Sequence, residues 1–254
     1  VKICESCYNR CSFCAIPGIK GKFSSRAIEA VLAEVGRLDK SGVKEINLIG
    51  QDITAYGVDL YHEKSLARLL KELVKVTENI QWIRLLYAFP AHVTDELIAV
   101  MANEPKICKY IDMPLQHISD NLLLSMNRNI TTQQTKELVN KMRLRMPNAS
   151  LRTTFIVGMP GETMKNFKEL SDYVSQTRFE KMGVFVYSRE EGTAAFNMSG
   201  QVSQQLKKKR LNMLMKMQQS ISHDVQQSFI GRTLKVLIDE KEEGSQNIYI
   251  GRSE

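Results

Sequence analysis

The chain has 254 residues, 43% of them hydrophobic and 25% charged, which is typical of a folded protein and unlike a disordered segment. It contains no apolar run near the roughly 20 residues that a membrane-spanning helix needs, and its first residues do not form a signal peptide. Lysine and arginine outnumber aspartate and glutamate by 35 to 28, and this net charge of +7 fits a nucleic-acid or ribosomal partner as well as an ordinary basic enzyme.

Short apolar runs alternate with amphipathic runs along most of the chain. Strands are predicted at 1–5, 45–50, 82–87, 110–113, 151–157 and 182–187. Apolar residues at helical spacing predict the helices between them. This alternation predicts an α/β fold with right-handed crossovers and a parallel sheet, either a curved partial barrel or an open doubly wound sheet. In both, the chemistry belongs in the loops after the carboxyl ends of the strands.

The last part of the chain has a different pattern. Residues 202–230 are predicted to form one long helix, in which the basic run Lys207–Arg210 is expected to be a solvated face. Beyond it, apolar and polar residues alternate on both sides of the turn Glu242–Ser245, which predicts a hairpin. A lone hairpin is marginal in water. We therefore divide the chain into a core at 1–230 and the start of a small β-domain at 231–254, and we expect it to be part of a longer protein.

Four of the five cysteines lie within the first fourteen residues, at Cys4, Cys7, Cys11 and Cys14. Such clustering indicates metal binding in a reducing compartment, the cytoplasm, rather than a disulfide framework. The spacing Cys7-x3-Cys11-x2-Cys14 supplies three thiolates, which can ligate three irons of a [4Fe–4S] cluster and leave the fourth iron open.

Cys4 leaves two alternatives open. With Cys4 included, the four cysteines are able to hold zinc in a non-catalytic module, although zinc ribbons separate their cysteine pairs by more residues. Cys4 is also able to close the cluster as a fourth ligand. We expect instead that Cys4, like Cys108, is a small buried residue.

An aromatic residue, Phe13, precedes the third cysteine, and the loop thereby resembles the signature of the radical S-adenosylmethionine (SAM) superfamily. Further segments look like those of its methylthiotransferases: Cys14–Pro17, Gly50–Asp52, Tyr56–Gly57, Leu115–His117 and Phe155–Thr163. The resemblance covers essentially the whole chain. It implies a (β/α)6 partial TIM-like barrel followed by the start of a TRAM-like β-domain.

The resemblance also implies the cofactors. A [4Fe–4S] cluster held by Cys7, Cys11 and Cys14 would cleave SAM to a 5′-deoxyadenosyl radical, which makes these cysteines both the metal ligands and the catalytic residues. A second [4Fe–4S] cluster is expected only in the full-length protein, where it would handle the sulfur.

Three segments are similar to the branch of the family that attaches a methylthio group to the β-carbon of an aspartate in a small-subunit ribosomal protein. They are 51–57 with Asp52, 151–154 with Arg152, and 187–193 with Glu190 and Glu191. The resemblance therefore implies a ribosomal protein as substrate, a reductant such as flavodoxin or ferredoxin, and no membrane partner. The alternative is the branch that modifies an adenosine in tRNA.

Five residues are implied as SAM contacts. Phe13 and Ile156 would pack on the adenine, and Gln51 would hydrogen-bond the methionine end. Arg152 would pair with a carboxylate of SAM or of the substrate, and Gly158 would let the backbone approach the ligand. Each also has an ordinary structural alternative: core packing, a loop amide, an ion pair or a turn glycine.

Two further features of the family-like segments have less specific roles. His117 is expected to be a satisfied structural histidine rather than a ligand contact. Glu190 and Glu191 either set the polarity of the substrate mouth or form an exposed acidic loop.

Overall fold

The computed structural model describes residues 1–245 and 247–254, and its main element is a parallel β-sheet with helices packed on one face. The strands are β1 (Cys4–Glu5), β2 (Ser24–Ser25), β3 (Glu45–Leu48), β4 (Trp82–Leu85), β5 (Ile107–Asp112), β6 (Ser150–Val157), β7 (Lys181–Val186), β8 (Leu237–Lys241) and β9 (Tyr249–Arg252). The helices are α1 (Ile16–Lys20), α2 (Ile28–Lys40), α3 (Val58–Tyr61), α4 (Leu66–Val76), α5 (Asp95–Asn103), α6 (Asp120–Ser125), α7 (Thr132–Arg145), α8 (Met164–Thr177) and α9 (Gln204–Gln227). Within the described residues the main sheet has the order β3-β4-β5-β6-β7, and each neighbouring pair is parallel.

The predicted first strand is present but short. Ile3 N donates to Ile49 O at 3.0 Å, and Ile49 N donates to Val1 O at 3.0 Å, so the chain start lies parallel to the end of β3. From Cys4 the chain turns away, and β1 pairs antiparallel with β2. The chain start and the strands β3 to β7 together form the predicted partial barrel, and the α/β fold class is confirmed.

The two faces of the sheet differ because strand side chains alternate in direction. One face packs against the helices with buried apolar residues such as Ile46, Leu48, Ile83 and Leu85. The opposite, inner face carries charged residues: Arg84 Nε lies 2.7 Å from Glu45 Oε1. The apolar face holds the core together, and the inner face combines this ion pair with a small apolar cluster that contains Trp82.

Helix α9 corrects the expectation for the basic run. Lys207 and Arg210 are each only 2% exposed, whereas Lys208 and Lys209 are exposed. Residues three apart lie on one helix face, and this face packs against the sheet and the loop after β6. The run is therefore half buried rather than a solvated face.

The hairpin β8–β9 is formed as predicted. Leu237 packs against a buried cluster that contains Trp82, and Glu254 Oε2 accepts a hydrogen bond from Lys109 N at 3.1 Å. Arg252 pairs with Glu45 on the inner face. The division of the chain at residue 230 stays a prediction. None of the helices in the described residues has the length and apolar composition that crossing a membrane requires.

Candidate functional site

A cavity of about 330 Å³ lies where the loops after β3, β4 and β5 meet the cysteine loop. Its volume is within the range of small-molecule sites. It is lined by Cys7, Cys11, Phe13, Cys14, Ile16, Gly50, Gln51, Tyr87, Ala88, Phe89, Pro114, Gln116 and Arg128. A wider open groove of about 750 Å³ lies between β7 and α9, but its lining, which includes Lys181 and Met215, carries none of the cysteines.

The three predicted cysteine ligands are brought together in this cavity. Cys7, Cys11 and Cys14 are partly buried and lie on the loop between β1 and α1. Burial raises the pKa of the Cys7 thiol, and hydrogen bonds from Asn9 oppose that rise. Burial likewise raises the pKa of the Cys14 thiol.

Cys4 does not line the cavity that these three thiols share. It is 1% exposed, and its Sγ donates to Asp52 O at 3.6 Å. Burial raises its pKa to about 12, so the thiol is protonated at neutral pH. A Cβ placed on Gly50 would lie 2.3 Å from Cys4 Sγ, so this glycine makes room for the thiol. The expectation that Cys4 is a small buried residue is confirmed.

The donor set fits an iron–sulfur cluster. In the described part of the chain, no three His, Cys, Asp or Glu side chains are close enough to share one metal ion. Cys7, Cys11 and Cys14 instead surround a cavity, and three thiolates around a space are what a four-iron cluster requires. A single zinc held by four thiolates does not fit, because Cys4 is in the core.

A hydrogen-bond network around Asp52 holds the cysteine loop against the end of β3. Asn9 Nδ2 donates to Asp52 Oδ2 at 2.7 Å, and Asn9 N donates to Cys7 Sγ at 3.4 Å. His92 Nδ1 lies 2.9 Å from the same carboxylate oxygen. Burial alone would raise the pKa of Asp52, but hydrogen bonds from His92 and Thr54 outweigh it and hold the pKa below its ordinary value. Asp52 is therefore an anionic anchor of the loop.

Two cavity residues that the sequence did not single out have strained backbones. Tyr87, after β4, has φ 66°, and Gln116, after β5, has φ 70°. Non-glycine residues in this region cost free energy and cluster at functional sites. Gln116 Oε1 is buried without a partner among the described atoms, so it is available to a bound donor. Gln116 stands in the family-like segment Leu115–His117, in which only the histidine was given a predicted role.

His117 is buried as a structural residue. Its Nδ1 accepts from Ser119 N at 3.0 Å, and burial lowers its pKa to about 3, so the ring is neutral. It does not line the cavity. The structural expectation is confirmed, except that Nε2 has no partner among the described residues.

The predicted SAM contacts divide into two groups. Phe13 and Gln51 line the cavity, and Ile156 packs in the same apolar cluster as Phe13. Arg152 is 43% exposed and its Nη1 lies 3.0 Å from Asp112 Oδ2, which is the ion pair that was its structural alternative. Ile156, Arg152 and Gly158 are not among the residues that line the cavity. Contact of these five residues with SAM remains a prediction.

In the loop after β6, residue 158 is a glycine because helix α9 packs closely against it. A Cβ there would lie 2.2 Å from Lys207 Cγ, so the absent side chain makes room for Lys207 of α9. Lys207 Nζ donates to Tyr187 O at 2.8 Å, and Arg210 Nη1 lies 3.0 Å from Glu162 Oε1. Glu162 in turn accepts from Gly158 N and from Met159 N. Helix α9 therefore fixes the shape of this loop.

A model of the Radical SAM superfamily matches residues 1–174 of the chain. The chain therefore belongs to the radical SAM superfamily. This membership confirms the prediction of an enzyme whose cofactors are a [4Fe–4S] cluster and SAM.

Within that superfamily, all of this chain matches proteins named ribosomal protein uS12 methylthiotransferase RimO. The identity is 48% with the protein from Desulforamulus reducens and 46% with that from Heliobacterium modesticaldum. The chain spans 57% and 55% of the length of these curated relatives.

Solved structures share the fold at low identity. Coproporphyrinogen III oxidase (HemN) from Escherichia coli matches with a TM-score of 0.62 and 17% identity, over 87% of this chain and 51% of that chain. The radical SAM methyltransferase TsrM from Kitasatospora setae matches with a TM-score of 0.59 and 19% identity, over 73% of this chain and 36% of that chain.

Proposed function

We propose that this chain is the radical-generating part of a methylthiotransferase that modifies an aspartate of ribosomal protein uS12. The observation that carries the proposal is the cavity that Cys7, Cys11 and Cys14 share with Phe13 and Gln51. The relatives that match the whole chain bear the name of this activity.

The chemistry requires a cofactor because an unactivated carbon is not deprotonated by any side-chain base at a useful rate. When bound, a [4Fe–4S] cluster supplies the electron that cleaves SAM and yields a radical able to remove such a hydrogen. The residues of the chain would hold the cluster and orient SAM. Cys7, Cys11 and Cys14 would ligate three irons of the cluster and leave the fourth iron open to SAM. Phe13 and Ile156 offer apolar surface to the adenine, and Gln51 offers an amide to the methionine end.

The loop after β7 is the proposed substrate mouth. Ala195 N donates to Ser12 O at 2.8 Å, so this loop touches the cysteine loop. Glu190 and Glu191 on it are exposed. Acidic side chains repel an RNA phosphate backbone, whose neutralisation by lysine and arginine dominates nucleic-acid affinity. They are compatible with a basic segment of a ribosomal protein, and they favour the protein substrate over tRNA.

A cytoplasmic location and a small electron-transfer protein as reductant, such as flavodoxin or ferredoxin, belong to the same proposal. A ribosomal substrate and reduced cysteines both suit that compartment.

The test is mass spectrometry of both substrates after reaction with the full-length protein, SAM, a sulfur source and a reductant. We expect a methylthio adduct on uS12 and unmodified tRNA. A modified adenosine in tRNA with unmodified uS12 would move the assignment to the tRNA branch. A preparation that binds one zinc tightly and takes up no iron would refute both.

A further inference from the structure

Arg128 places a buried guanidinium beside the cysteine loop. The residue is 4% exposed and follows α6. Its Nη1 donates to Cys11 Sγ at 3.5 Å, and its Nη2 donates to Pro114 O at 2.6 Å. Its Cζ lies 4.0 Å from the centre of the Phe89 ring. The carbonyl and the ring fix the guanidinium against the wall of the cavity.

The charge of Arg128 is uncompensated among the described residues. The other buried arginines have carboxylates, since Arg210 pairs with Glu162 and Arg84 pairs with Glu45. No carboxylate in residues 1–245 and 247–254 lies within ion-pair distance of Arg128, and its Nε is buried without a partner. A buried cation without a counter-charge is strongly unfavourable. The site is therefore built for an anion that these residues do not supply.

We propose that Arg128 is the counter-charge and hydrogen-bond donor of the cluster at Cys11, and that it raises the cluster's reduction potential. This inference rests on the proposed function, because it requires a cluster on the three cysteines. Arg128 would thus be a positioning residue, which sets the reduction potential of the cluster through its contact with the Cys11 thiolate.

The physical argument is electrostatic. Reduction adds one negative charge to the cluster, and a nearby cation stabilises the reduced form more than the oxidised form. Hydrogen bonds to the sulfurs and the burial of the site are established means by which proteins set such potentials. The guanidinium is held in place by Pro114 O and Phe89, so it does not need to reorient when the electron arrives.

The experiment is a redox titration followed by electron paramagnetic resonance, on this chain loaded anaerobically with iron and sulfide and without SAM. The variants are Arg128→Lys, which keeps the charge, Arg128→Gln, which keeps a donor, and Arg128→Met, which removes both. Arg189→Met is the matched control. Arg189 also donates to a carbonyl, that of Phe196, and its Cζ lies 4.5 Å from the centre of that residue's ring, but it is exposed and has no cysteine contact among the described residues.

We expect Arg128→Gln and Arg128→Met to lower the equilibrium constant for one-electron reduction of the cluster at least about tenfold. This corresponds to a reduction potential that is lower by about 59 mV. Arg128→Lys should lose less, and Arg189→Met should match the unmodified chain. If Arg128→Met takes up no iron while Arg128→Lys loads and has a lowered potential, the proposal is also supported.

The proposal is overturned if the loaded Arg128 variants keep the original potential, including the case in which they lose only SAM affinity. It is equally overturned if Arg189→Met lowers the potential as much as Arg128→Met. Failure of the unmodified chain to take up a cluster would instead contradict the proposed function.

Discussion

Two glycines of the loop after β6 look equivalent in the sequence and differ in their surroundings. Gly158 has φ 79° and Gly161 has φ 81°, a region that costs other residues roughly 1–2 kcal/mol. A Cβ at Gly161 would meet nothing within 4 Å, whereas one at Gly158 would meet Lys207.

Gly158→Ala should therefore lower the free energy of unfolding by a further ~1–3 kcal/mol beyond Gly161→Ala, because overpacking adds to the backbone cost. Urea denaturation of both variants measures this. Equal losses would show that Lys207 does not occupy the space that the glycine leaves.

Residues of the site were predictable where they are close in the sequence. The spacing of Cys7, Cys11 and Cys14 predicted a shared metal site, and the structure places all three in one cavity. Tyr87 and Arg128 line the same cavity and were missed. They follow different elements and become neighbours only through the parallel packing of the strands, which no local pattern encodes.

At the scale of elements, α9 shows that neighbouring basic residues of one run differ in burial. The buried pair Arg210–Glu162 joins this helix to the loop after β6. Burial raises the pKa of the Glu162 carboxyl, and the cation of Arg210 opposes that rise. A run of four basic residues does not reveal which members are buried, because the orientation of the helix is set by its packing against β7.

Arg210→Met should cost ~3–5 kcal/mol of unfolding free energy, because it leaves the buried Glu162 without its ion-pair partner. Lys209→Met, on the exposed face, should change it by less than about 0.5 kcal/mol. The double variant Arg210→Met with Glu162→Gln should recover part of the loss. Denaturation curves test this, and similar losses for Arg210→Met and Lys209→Met would contradict the buried pair.

At the scale of the whole molecule, the hairpin lies against the inner face of the sheet. Leu237 packs against a buried cluster of Trp82, Cys108 and Tyr110. Trp82 is 2% exposed and is the only tryptophan in the sequence. Periodicity predicted the hairpin, but nothing in the sequence indicated where it would lie, because contacts over such separations are not encoded locally.

Removal of residues 233–254 should therefore expose Trp82 to solvent. We expect a red-shifted tryptophan emission and stronger quenching by acrylamide, while helical circular dichroism persists because the core lies between the sheet and its helices. Leu237→Ala, which removes only the apolar contact, is the matched milder variant. Unchanged emission in the truncated chain would contradict the packing.

Residues 1–254 are expected to carry out one step of the proposed reaction, the cleavage of SAM, and not the transfer of the methylthio group. With a strong reductant and a loaded cluster, residues 1–254 should convert SAM to 5′-deoxyadenosine, because the cavity holds the three cysteines that this step needs. We expect no methylthio transfer, because under the proposed function a second [4Fe–4S] cluster handles the sulfur, and the five cysteines of residues 1–254 supply the ligands of one cluster. Chromatography of the nucleoside products and mass spectrometry of uS12 measure the two steps, and complete transfer by this chain would refute the division.

The central claim is that Cys7, Cys11 and Cys14 hold a [4Fe–4S] cluster with one iron open to SAM, and that Cys4 takes no part. The most direct test is anaerobic reconstitution of the chain and of its cysteine-to-alanine variants, followed by iron analysis and electron paramagnetic resonance with and without SAM. We predict about four irons per chain and a spectrum that SAM perturbs, in the original chain and in Cys4→Ala, and loss of both in Cys7→Ala, Cys11→Ala and Cys14→Ala. Loss of the cluster in Cys4→Ala, or a cluster whose spectrum does not respond to SAM, would contradict it.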